Sequence, residues 1–221
     1  MDLTPFWLTL RLAVSATLIL LVLGTPVAWW LARTKSPVRP LFEALVALPL
    51  VLPPTVLGFY LLLLLGPRGP LSPLLDWFDL RLVFTFPGLV IGSVIFSMPF
   101  VVNPLKNAFE EIPAGQLEAA ATLGAGPLDR FFSVVLPMSK SGLVTGTVMG
   151  FAHTLGEFGV VLMIGGNIPG ETQVLSVAIY EKVEQLDYAK AHEYSMGLLI
   201  FSTLLLTALY SSQRARHLAR L

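Results

Sequence analysis

Cysteine is absent from the 221 residues, which removes disulfides, thiolate metal sites and cysteine nucleophiles from consideration. Charge is scarce as well. Only 13% of the residues are Asp, Glu, Lys or Arg, against ~25% in soluble domains, while 55% are apolar. A water-soluble globule needs polar residues to cover its surface, and this chain has too few. Its solvent is therefore largely lipid, which excludes a large extramembrane domain and a multi-domain enzyme. Fourteen basic residues balance fourteen acidic ones, so no charge excess points to nucleic acid. Histidine occurs three times, at His153, His192 and His217, without metal-ligand spacing.

Motifs of catalysis are missing too. The phosphate-cradling G-x-x-x-x-G-K-[ST] does not occur, so the chain does not bind ATP by that route. His192-Glu193 lacks a second histidine four residues after the first, and no G-x-S-x-G elbow is present. His153 lies in an apolar run without a partner carboxylate and reads as a helix-packing or pore-lining imidazole. The chain is read as non-catalytic, with no cofactor or metal of its own.

What is present is a series of long apolar runs. They cover about residues 6–31, 41–65, 84–105, 142–164 and 194–210. A span of the ~30 Å hydrocarbon core takes ~20 residues, and runs this long mark helices rather than alternating strands. The expected fold is all-α: one polytopic transmembrane bundle over 1–221, with five spans. A sixth membrane-embedded helix over 173–190 is the alternative. The first run, without a basic flank or a small-residue cleavage site, is read as an uncleaved span. The segment from Gly66 to Arg81 is rich in Pro and Gly, with Leu74–Phe78 suited to an interfacial turn or short helix.

Lys and Arg in short loops mark the cytoplasmic side. Arg33, Lys35 and Arg39, then Lys106, Arg130 and Lys140, then Arg214, Arg216 and Arg220 make nine basic residues in alternate connections. The other connections hold four, Arg68, Arg81, Lys182 and Lys190, beside seven acids. This bias puts the N-terminus outside and the C-terminus in the cytoplasm.

The cytoplasmic stretch of about 106–140 carries the most specific pattern. Ala and Leu favour a helix from about Ala114 to Leu123, which Gly124 is placed to end. Gly126-Pro127 restarts a second helix, since proline suits a first helical position, and Pro137 is expected to stop it. Glu118-Ala119-Ala120, Gly124, Val134 and Leu136-Pro137, at these spacings, resemble the coupling-loop signature of ABC importer permeases, with Val134 where Ile is usual. Three further stretches, Leu48–Gly58, Thr154–Gly159 and Gly166–Thr172, are similar to the permease subunits of molybdate transporters. The likeness covers nearly the whole chain.

The resemblance implies a type I importer permease in the inner membrane of a prokaryote, acting as a homodimer in contact with lipid. Its coupling loop would sit in a groove of a cytoplasmic ABC ATPase dimer, which binds ATP and Mg²⁺. An external molybdate-binding protein would meet the outer turn of Asn167, Pro169, Gly170, Glu171 and Thr172. Tungstate and sulfate are the neighbouring cargoes; a stand-alone channel or a membrane enzyme is the rival class.

The residues themselves add detail. Gly142, Gly146 and Gly150 share a helix face, as do Gly88 and Gly92, and such small faces serve either packing within the bundle or a dimer seam. Pro49, Pro53 and Pro54 each remove a helix N–H, so the second span should bend or open, as a span lining a transport path can. Glu157 is the one carboxylate deep in an apolar run, ~22 Å beyond Gly142 on a continuous helix. An ionised carboxylate would repel an oxyanion, so Glu157 is read as a structural or gating residue, protonated or hydrogen-bonded. No span after Arg11 holds a Lys or Arg to grip an anion.

Overall fold

Two prolines in a row decide the path of the second apolar run. A residue before proline is pushed out of the helical region by the proline ring, and Leu52 and Pro53 both precede one. Each is extended, with ψ 135° and 134°, so the run divides into α2 and α3. In the computed structural model, which describes residues 2–218, α1 is Thr4–Arg33, α2 is Arg39–Val51 and α3 is Pro54–Leu65. The bend between α2 and α3 is 114°. Pro49, by contrast, stays inside α2 and is buried.

A short helix, α4 (Ser72–Trp77), follows, and then the long α5 (Phe86–Glu110). Thr85 caps α5 by accepting the Gly88 N–H. The loop after α5 forms α6 (Ala114–Thr122), α7 (Pro127–Arg130), a π-helical turn over Phe131–Val135 and α8 (Leu136–Met138). The fourth run comprises α9 (Lys140–Leu155) and α10 (Gly159–Gly165); α11 (Leu175–Glu184) and α12 (Tyr188–Leu218) complete the order. No strand occurs among the described residues.

By length and composition, α1 and α5 can each cross a membrane alone, and up to four crossings are counted if each bent pair forms one span. The fifth expected run falls within α12. Ten-residue α11 rises only ~15 Å and is too short to cross, so the helix of the six-helix alternative is present but short. The tail residue Arg220 lies outside the described residues.

Two expectations are corrected. The fourth run is not one helix, because it opens at Gly156–Phe158, so Glu157 sits in a break rather than one level up a continuous helix. The second loop helix does not stop at Pro137. That residue is taken up in the first turn of α8, where its missing N–H costs little.

The core has two levels. Leu20, Leu31, Val102, Leu105, Phe109 and Val135 pack at the end carrying the loop of α6–α8. Leu12, Leu61, Leu89, Val160, Ile164 and Val174 pack at the other. The α9 glycines belong to the seam inside the chain. A Cβ on Gly142 would lie 2.4 Å from Ala108 Cβ, on Gly146 3.1 Å from the Val101 oxygen, and on Gly150 2.5 Å from Val101 Cγ2. Helix backbones in lipid approach this closely only through small residues.

Candidate functional site

Three surfaces hold the residues singled out in the sequence. The first is the loop after α5. Its attachment is firm: the Arg33 guanidinium donates to the Phe109 and Ile112 carbonyls at 3.0 and 3.2 Å and lies over the Trp29 ring. Phe131 meets Trp29 edge to face at 5.6 Å, and Val135 is fully buried. From this root α6 projects with no residue buried.

Gly124 ends α6 with φ +87°. The N–H groups of Gly124 and Ala125 return to the Ala121 and Ala120 carbonyls, both at 3.0 Å. This is the left-handed stop that satisfies a helix's last carbonyls and favours glycine. Glu118 and Ala119 are exposed on α6, and Leu136 and Pro137 lie past the π turn, nearer the root. Around the turn stand three apolar side chains that the sequence reading did not single out: Leu123, Leu128 and Phe132, exposed at 89%, 75% and 62%. Their signal was three large apolar residues at and just beyond the Gly124–Pro127 turn.

The second surface is where the two broken runs meet. Gly159, first in α10, is so close to α3 that a Cβ would lie 2.8 Å from Pro54 Cβ. A Cβ on Gly58 would lie 2.7 Å from Met163 Cβ. Beside this contact is a cavity of about 590 Å³, lined by Pro54, Thr55, Phe96, His153 and Glu157 among others. Pro53 shapes the bend next to it, whereas Pro49 is not among the lining residues.

Glu157 is 4% exposed, and its carboxyl is buried beside the Ser93 hydroxyl. The backbone is held: the Ser176 hydroxyl donates to the Glu157 carbonyl at 2.6 Å. His153 is fixed by Ser97, with Oγ 2.9 Å from Nδ1, and stacks on Phe100 at 3.9 Å between ring centres. Helix breaks with polar groups at membrane depth are tolerated where protein or a wet cavity supplies partners.

The third surface is the turn between α10 and α11. Asn167, Pro169, Gly170 and Glu171 are exposed. Asn167 donates to Glu181 at 2.7 Å and accepts from Gln173 at 2.8 Å, which ties the turn to α11. Thr172 departs from the expectation of a docking side chain. It is fully buried, donates to the Gly165 carbonyl at 2.7 Å and accepts from the Ile168 N–H. It holds the turn from beneath.

A family model described as binding-protein-dependent transport system inner membrane component matches residues 24–218. The molybdenum transport system permease protein ModB of Azotobacter vinelandii is 57% identical over 214 residues, covering 96% of this chain and 95% of that one. The sulfate transport system permease protein CysT of Salmonella typhimurium is 37% identical over 205 residues, covering 93% and 74%. Among solved structures, a bacterial alginate ABC transporter in complex with an alginate-bound periplasmic protein superposes with TM-score 0.71 at 18% identity, over 94% of this chain and 75% of that one.

Proposed function

Because the chain belongs to the family of binding-protein-dependent transport system inner membrane components, we propose that it is the membrane permease subunit of an ATP-driven importer that carries molybdate into the cytoplasm. The 57% identity to a molybdenum permease over nearly the whole length carries this reading. The energetics agree with it. A dianion entering against a negative-inside potential needs ~2.3 kcal/mol per charge per 100 mV, roughly 4.6 together, which a passive pore cannot supply. With no nucleotide motif in the chain, ATP and Mg²⁺ belong to a partner ATPase, and the exposed loop of α6–α8 is the natural surface for it. Glu118, Ala119 and Ala120 present the helix, Gly124 sets the turn, Leu136 and Pro137 carry the motion towards α9, and Leu123, Leu128 and Phe132 anchor the contact.

In this reading two copies form the pore and two ATPase chains dock beneath. A binding protein loaded with the oxyanion meets the opposite face at Asn167, Pro169, Gly170 and Glu171. Pro53, Pro54 and Glu157, at the junction of the broken spans, make up the gate, and Pro49 sits in the span leading to it.

The test is reconstitution. The permease with a co-expressed ATPase should purify as a stable complex and, with binding protein, accumulate labelled molybdate only when ATP is supplied. Unlabelled tungstate and sulfate measure the selectivity. ATP-independent accumulation, or uptake of sulfate in preference to molybdate, would replace this reading with the corresponding alternative.

A further inference from the structure

Next to the Glu157 cavity, α5 and α9 form the walls of an open groove of about 460 Å³. Its polar side chains fall at helical repeats: Asn103 and Asn107 on α5, Ser141 and Thr145 on α9. Residues four apart share a helix face, so each wall presents a continuous file rather than scattered groups. None of the four side chains hydrogen-bonds within the chain among the described residues. Other hydroxyls of the bundle behave differently: those of Thr9, Thr17, Thr147 and Thr154 each donate to the carbonyl four residues back. Unpaired amide and hydroxyl groups are costly against acyl chains and suit a surface that faces water or a polar solute.

The charge pattern narrows the solute. No Lys or Arg lines the groove, and one carboxylate, Glu111, stands at its α5 C-terminal end. Neutral donors can replace part of an anion's hydration without holding it as a fixed cation would, and conduction needs binding weak enough to release. The groove also leads somewhere. Along α9, Ser141, Thr145, Met149 and His153 continue one face at four-residue steps, ~18 Å from first to last. Phe100 lines the groove and stacks on His153, which lines the cavity at the helix breaks.

Resting on the permease reading above, we propose that this groove is one wall of the oxyanion's route to the cytoplasm, closed by the same groove of a second copy, with Asn103, Asn107, Ser141 and Thr145 as its hydrogen-bond donors. The Phe100–His153 stack marks the level where the route is shut from the gate cavity.

Native absence of cysteine makes the test clean. Asn107→Cys and Thr145→Cys, each assembled with the ATPase in proteoliposomes, are treated from the ATPase side with charged, membrane-impermeant thiosulfonates, and labelled molybdate uptake is read before and after. Val22→Cys, at a position 72% exposed on α1, serves as the control. The anionic reagent should lower uptake about fivefold or more at both groove positions, the cationic reagent less, with the control unchanged. Unchanged uptake after complete labelling would overturn the proposal, and so would failure of both positions to label. If a cysteine variant does not assemble, Asn107→Ser and Thr145→Ala decide instead. Fewer molybdate ions moved per ATP supports the route, and an unchanged ratio overturns it. The unmodified complex separates the two readings, since molybdate uptake by it upholds the permease reading even where the groove assignment fails.

Discussion

Gly124 shows how much one residue can decide. A Cβ there would meet nothing within 4 Å, so its whole requirement is the backbone angle of +87°. A β-branched residue in that left-handed region costs about 1–2 kcal/mol, whereas Asn adopts it readily. Gly124→Val should therefore leave membrane insertion intact but lower ATP-driven uptake several-fold and reduce co-purification of the ATPase. Gly124→Asn should keep both near the unmodified level. Equal loss in the two variants would mean that the side chain's bulk, not the turn, is what matters. The role of Gly124 was legible because an Ala-rich helix runs into it and Gly-Pro follows. The exposure of Leu123, Leu128 and Phe132 was not, since apolar residues in a short helix fit packing on the bundle equally well. Thr172 misled for the opposite reason: a polar residue in a turn reads as surface, and only the fold shows the two backbone groups it satisfies.

At the level of whole elements, the long apolar runs were enough to place α1 and α5, and the Pro53-Pro54 pair was enough to place the break between α2 and α3. The break at Gly156–Phe158 left no such mark. It holds no proline, and it is the close approach of α3 to Gly159 that fits it into the bundle. The glycines of α9 were legible as a small face but not as to its partner, which proves to be α5 of the same chain. That packing can be measured. Gly150→Ala would place a methyl 2.5 Å from Val101 Cγ2, and valine in a helix has little rotamer freedom with which to yield. Overpacking of this kind costs about 1–3 kcal/mol. The purified complex should melt lower with Gly150→Ala, and adding Val101→Ala should recover part of the loss, because contacting sites are not additive. Strictly additive losses would show that α9 shifts to accommodate the methyl.

Across the whole molecule, the expected orientation rests on which charges lie at which end of α1. Its Arg33 end holds the loop of α6–α8, and close by Arg39 pairs with Glu43 and Glu110 at 3.1 and 2.6 Å, and Lys106 with Glu43 at 2.9 Å. Near its other end, the Leu175 N–H donates to Thr9 at 2.7 Å, which ties down the segment carrying Glu181 and Asp187. Arg33, Arg39 and Lys106 thus gather at one end of a helix ~45 Å long, and the segment carrying Glu181 and Asp187 lies near the other. Retention of Lys and Arg on the cytoplasmic side would put the Arg33 end there, which is the expectation to be tested. A reporter fused after Arg220 should score as cytoplasmic, and one inserted at Gly170 as external. The opposite pair of results would invert the molecule and move ATPase docking to the wrong side of the membrane. Two results on the same side would mean that the chain crosses an even number of times between Gly170 and the tail. That contradicts a single crossing by α12, because α11, at ten residues, is too short to supply a second.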